Sequence, residues 1–123
     1  MDAKTFDDFI AAFNAHDLDR LLTFFADDAV YSSHSGTEPM GTVFTGRAAI
    51  RTALATRFSK SPDGQIVMTS PAIINGDDGA SEWYFEFRDE QHRLGRVYGC
   101  DIFKFRGNKI LVKNVYGKSQ TPS

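Results

Sequence analysis

The chain has 123 residues, of which 41% are hydrophobic and 24% charged, a composition that suits one packed domain and not a disordered segment. Lys+Arg 14 against Asp+Glu 16 leave a net charge of −2 with no basic stripe, which argues against nucleic acid as a partner. The longest apolar run, Phe9 to Phe13, falls far short of the ~20 residues of a membrane span. No basic-then-apolar leader precedes that run, so a cytoplasmic location and no membrane partner are expected. Cys100 is the single cysteine, which excludes an internal disulfide and a multi-thiolate zinc site. Aromatic residues are abundant, with Phe 11, Tyr 4 and Trp 1, as suits a core that lines a cavity.

Phe6, Phe9, Ile10 and Phe13 recur at i, i+3, i+4, i+7 and predict a first helix capped by Thr5. Asp17 caps a second helix, whose Leu18, Leu21, Leu22 and Phe25 repeat the spacing and which ends near Asp27-Asp28. A short strand over Ala29 to Ser33 follows, then a loop from His34 to Thr45 without periodicity, long enough to carry function. A third helix begins at Gly46-Arg47 with Ile50, Ala53, Leu54 and Phe58 on one face, and Ser61-Pro62-Asp63-Gly64 ends it. Four strands complete the chain: Gln65 to Asn75, broken at Pro71 as an edge or bulge, then Ala80 to Arg88, Arg93 to Arg106 and Lys109 to Gly117. Helices first and strands last give an α+β class, with one domain over residues 1–118 and a disordered tail at 119–123.

Strand residues alternate faces, so the apolar register must look toward the helices. Trp83, Phe85 and Phe87 share the inner face of one strand, and Val97, Gly99, Asp101, Phe103 and Phe105 that of the next. On the last strand the same parity points Ile110, Val112, Asn114 and Tyr116 inward. Asp101 is then a carboxylate among phenylalanines, which burial makes costly unless it is paired, hydrogen-bonded or protonated. Either it satisfies a structural polar network, or it stands at the floor of a pocket poised to exchange a proton with a ligand.

Phe25-Ala26-Asp27-Asp28-Ala29-Val30, Gly46-Arg47-Ala48-Ala49-Ile50 and Asp101-Ile102-Phe103-Lys104-Phe105 with Asn108-Lys109-Ile110 form a series that resembles the nuclear transport factor 2-like superfamily. Within it the likeness is to SnoaL-like polyketide cyclases and ketosteroid-isomerase-like proteins. That resemblance implies a cone-shaped, strongly curved mixed or antiparallel sheet wrapped around three N-terminal helices, an apolar cavity and a homodimer. It matches Asp101 to the family's acid on the late strand, while the oxyanion tyrosine falls on Phe9 and the general-base aspartate on or beside Ser33. Steroid isomerisation by that full apparatus is therefore not expected, whereas cyclase-like chemistry needs only Asp101.

His34, just after the short strand, and Tyr31 are the candidate assistants, each with a plain alternative as a solvated loop residue or a core aromatic. Phe9 and Phe13 from the first helix, Ser33, and Trp83, Phe85 and Gly99 from the sheet are the expected ligand-binding lining, with Asn114 and Tyr116 as orienters of polar groups. His16 and His92 fall in turns and are read as surface residues. No metal is expected, because His34, Glu38 and Asp101 lack any spacing a metal demands, and no glycine-rich phosphate loop calls for a nucleotide cofactor. Tyr84, Tyr98, Cys100 and Ile102 form an apolar strip on the outer face, the expected dimer contact. The reading is thus a cofactor-independent isomerase or cyclase for a small apolar or carbonyl-containing molecule, or else a non-catalytic binding module on the same fold.

Overall fold

In the computed structural model, which describes residues 1–120, the helices lie against one face of a seven-stranded sheet. Helix α1 spans Ala3–Asn14 and buries Phe6, Phe9 and Ala12 along one side. Its cap is Asp2, whose carboxylate accepts from the Thr5 backbone N–H at 2.7 Å, where the Thr5 hydroxyl had been expected to serve. Helix α2, Leu18–Leu22, is capped by Asp17 as expected but is shorter than its leucine spacing suggests. Phe25 instead opens strand β1, Phe25–Ser32. It pairs with Ile110, and its carbonyl accepts from Arg47 Nε at 2.9 Å and Nη2 at 2.6 Å. This non-local ladder overrides a weak local helical preference.

The end of the expected loop is an edge strand, β2 (Val43–Thr45), antiparallel to β1. Helix α3, Arg47–Lys60, then buries Ile50 and Leu54. Pro71 does divide the next strand, giving β3 (Gln65–Met68) and β4 (Ile73–Asn75), which both pair with β5 (Asp78–Arg88). Strands β6 (Leu94–Arg106) and β7 (Lys109–Gly117) complete a sheet of order β2-β1-β7-β6-β5-β3, antiparallel except where β1 meets β7. The fold is thus α+β with a large curved sheet and N-terminal helices, as the sequence implied. Of the expected tail, residues 121–123 lie outside the described residues, and Ser119 and Gln120 form neither helix nor strand.

On β5 and β6 the alternation holds: Trp83, Phe85, Asp101, Phe103 and Phe105 are all buried on the helix side. On β7 it fails after the first residue. Phe105 pairs with Ile110 but Lys104 pairs with Val112, so Leu111 is an extra residue, a β-bulge. Beyond it every side chain changes face. Lys113 and Val115 are buried, whereas Asn114 is only partly buried and Tyr116 is exposed, which corrects the inward placement of the latter two.

Phe103 anchors the core between sheet and α1, with its ring 5.4 Å from Phe6 and 6.3 Å from Phe9 in edge-to-face geometry. Replacing Phe103 with Ala should lower unfolding free energy by about 3–5 kcal/mol, measured by urea denaturation. An effect under about 1 kcal/mol would mean that the site collapses around the loss.

Candidate functional site

Between the helices and the sheet lies a hollow of about 100 Å³, walled by Phe9, Phe13, Phe85 and Trp83 and floored by Asp101 and Lys113. A dry cavity of ~150 Å³ admits a benzene ring, so this space is on the scale of a single ring. Its outer members are His34 and Gly117, both exposed, with Arg57 and Val97 half-buried behind them.

Asp101 is only 4% exposed. Its Oδ2 accepts from Trp83 Nε1 at 3.2 Å and its Oδ1 from Lys113 Nζ at 3.3 Å. Burial raises its carboxyl above the ordinary carboxylate range, and the Lys113 charge and hydrogen bond, followed by the Trp83 N–H, pull it part of the way back. Lys113 Nζ also lies 5.1 Å from the centre of the Tyr31 ring, a cation–π contact. Tyr31 therefore meets the pair through its ring face, and among the described residues its hydroxyl makes no hydrogen bond to Asp101.

His34 stands at the mouth, where the partial loss of hydration on its inner side first, and then the charges of Arg57 and Lys113, hold its imidazole below the usual histidine range. Its neutral form is thus favoured near neutral pH. Ser33 does not reach the hollow, and its backbone N–H instead donates to the Thr42 carbonyl at 2.9 Å. Gly99 lies behind the wall: a Cβ there would sit 2.7 Å from Trp83 Cη2, so the indole occupies the room that the glycine leaves. Asn114 and Tyr116 hydrogen-bond to each other on the outer face at 3.1 Å. His16 is half-buried and structural, not a surface residue, with Nε2 2.8 Å from the Gly64 carbonyl oxygen and its ring stacked 4.3 Å from Phe58. His92 occupies an exposed turn. The hollow's two cations, Arg57 and Lys113, had no part in the sequence reading. Among the described residues there is no cluster of His, Cys, Asp and Glu able to hold a metal, and no helix is long and apolar enough to cross a membrane.

A curved sheet closing an aromatic hollow against three N-terminal helices is the architecture of nuclear transport factor 2-like and ketosteroid-isomerase-like proteins, and solved structures agree. A hypothetical protein of ketosteroid isomerase-like fold from Catenulispora acidiphila, solved in complex with trimethylamine, is 21% identical with a TM-score of 0.80, over 94% of this chain and 86% of that one. Bal32a, from a soil-derived mobile gene cassette, is 18% identical with a TM-score of 0.80, over 95% and 88%. A cystatin-fold protein from Novosphingobium aromaticivorans is 21% identical with a TM-score of 0.74, over 95% and 97%. At these identities the likeness is one of fold. The chain belongs to the SnoaL-like domain family, whose model matches residues 6–112.

The ion pair at the floor makes a quantitative prediction. Lys113→Met should destabilise the protein by about 3–5 kcal/mol by stranding a buried carboxylate, and Asp101→Asn should do similarly by stranding the ammonium. The double variant should recover most of either loss in a urea double-mutant cycle, and strict additivity would show that the groups are uncoupled. The raised Asp101 carboxyl also sets a pH dependence. Its proton is held in the folded state and released in the unfolded one, so its contribution to stability is full below pH ~4 and is lost as pH rises through the raised value. The stability of wild type relative to the double variant should therefore fall as pH rises from about 4.

Proposed function

We propose that this SnoaL-like protein binds a small, mostly apolar carbonyl compound in the hollow and moves a proton on it without a cofactor, with Asp101 as the acid–base group. The observation that carries this reading is a buried carboxylate opening into an apolar cavity with a second titratable group, Lys113, 3.3 Å away. In the enolising step Asp101 takes a proton from the carbon next to the carbonyl. The electron pair of that C–H bond moves to the carbonyl oxygen, and the Lys113 ammonium stabilises the resulting oxyanion. Asp101 then returns the proton to another carbon of the conjugated system, so nothing is oxidised or reduced. His34, neutral at the mouth, and the Tyr31 ring over Lys113 are the supporting groups. The size of the hollow favours a single ring over the polycyclic bodies typical of polyketides and steroids. Trimethylamine, bound by the Catenulispora protein, is a poor guide to the ligand here, because Arg57 and Lys113 both face the hollow.

One observation supports the second reading, a binding module without chemistry. Both carboxylate oxygens of Asp101 already accept a hydrogen bond from the protein. Cyclohex-3-en-1-one, a one-ring β,γ-unsaturated ketone, separates the two, because its conversion to the conjugated isomer is followed by ultraviolet absorbance. Wild type should accelerate the conversion, Asp101→Asn should abolish it, and Lys113→Met should lose roughly 10²–10³-fold. Binding of this ketone without acceleration, read from the fluorescence of the single tryptophan, Trp83, would leave the binding module as the function.

The outer face supports a homodimer through the sheet. Tyr98, Ile102 and Tyr116 are 47%, 44% and 52% exposed there, with Tyr84 and Cys100 beside them. The lone, half-buried cysteine suits a cytoplasmic setting. Sedimentation velocity at micromolar concentration should give a dimer for wild type and a monomer for Ile102→Asp, and a wild-type monomer overturns the interface.

A further inference from the structure

Arg57 is the charged group of the hollow that proton transfer leaves unused. It projects from the last turn of α3 and is half-buried, with its guanidinium carbon 5.6 Å from the centre of the Phe85 ring. The ion pairs among the described residues engage Arg47, Arg51, Arg93, Arg96 and Arg106, but not Arg57. Asp101 is the single acid of the lining, and Lys113 already compensates it. The hollow therefore carries an uncompensated positive charge, fixed against an aromatic wall near its entrance.

A guanidinium held over a ring by a cation–π contact keeps N–H groups free for a planar oxyanion, and the apolar wall beside it accepts a hydrocarbon body. Resting on the reading of the hollow as a small-molecule site, we propose that its ligands are single-ring organic anions, with a carboxylate or comparable oxyanion seated on Arg57 and the ring against Phe85 and Phe13. Such a ligand holds its charge at the mouth, away from Asp101, and presents its far end to the Asp101–Lys113 pair. Cyclic keto acids are the class in which both ends are used.

The test is calorimetry, with Trp83 fluorescence as a second readout, on three compounds of one shape: cyclohexanecarboxylate, cyclohexanecarboxamide and cyclohexylmethylammonium. Wild type should bind the carboxylate roughly tenfold to a hundredfold more tightly than the amide and should not bind the ammonium. Added salt should weaken the carboxylate alone. Arg57→Gln should weaken the carboxylate far more than the amide and so erase the preference, and Arg57→Lys should restore part of it. Equal affinity for carboxylate and amide, or a preference that survives Arg57→Gln in a folded variant, overturns the anion assignment and leaves the hollow as a site. Failure of all three compounds to bind or to alter Trp83 overturns the small-molecule reading as well.

Discussion

A carboxylate set in the register of phenylalanines is the constraint from which the rest of this structure follows. Asp101 shares its strand face with Phe103 and Phe105, and an unpaired charge there would be penalised by several kcal/mol. The compensating charge comes from β7, and only because Leu111 is an extra residue in that strand. Without the bulge the inner face at that level would carry Asn114, whose amide can donate a hydrogen bond but brings no charge. The bulge therefore does more than bend an interior strand. It converts a lone buried acid into a buried ion pair and sets the electrostatics of the cavity floor.

This is also where the sequence stopped being legible. Strands β5 and β6 can be assigned to faces because Trp83, Phe85, Phe103 and Phe105 fill one register while Glu82, Glu86, Lys104 and Arg106 fall on the other. In β7 neither parity is clean: Ile110 and Val112 belong to one, Leu111 and Val115 to the other. Nothing local in that run distinguishes a regular strand from a bulged one, because the choice is made by pairing with β6. The unbroken parity that points Asn114 and Tyr116 inward passes over Lys113, which only the bulge brings to the inner face. Arg57 escaped for a different reason. The apolar residues of α3 mark its inner face, and a long cation whose stem runs along such a face looks like a solvated one until a ring lies beneath it. Helix α2 was overextended because Phe25 completes the leucine spacing, although pairing with Ile110 claims it for the sheet.

The hollow survives because the aromatic core is divided in two. One cluster joins Phe6, Phe9, Phe25, Phe103 and Phe105 under α1, and the other joins Trp83, Phe85 and Val115 across the sheet. Phe13, Tyr31 and Met68 touch both. Rings held in edge-to-face contact on one side are not free to collapse toward the other, since each already has its partners at 5.4–6.3 Å. Gly99 contributes by letting the Trp83 indole lie close to β6, where its N–H meets Asp101, instead of standing out into the cavity.

Seen against ketosteroid-isomerase-like proteins, the polar groups of this hollow are redistributed more than reduced. In the resemblance carried by the sequence, the oxyanion tyrosine falls on Phe9, which offers no donor, and the base falls on or beside Ser33, whose backbone N–H donates to the Thr42 carbonyl. In exchange the floor holds an ammonium that the matched pattern does not call for. A phenol stabilises an oxyanion as a neutral donor and leaves the site uncharged, whereas an ammonium does so with a full charge whose field is strong in an apolar enclosure. That field has a second effect. It opposes the burial that raises the Asp101 carboxyl, and on the proposed reading that pull toward the ionised form is what lets Asp101 serve as a base. One residue of strand slippage thus exchanges the roles of donor and acceptor on the proposed reading, with the backbone fold left as it is.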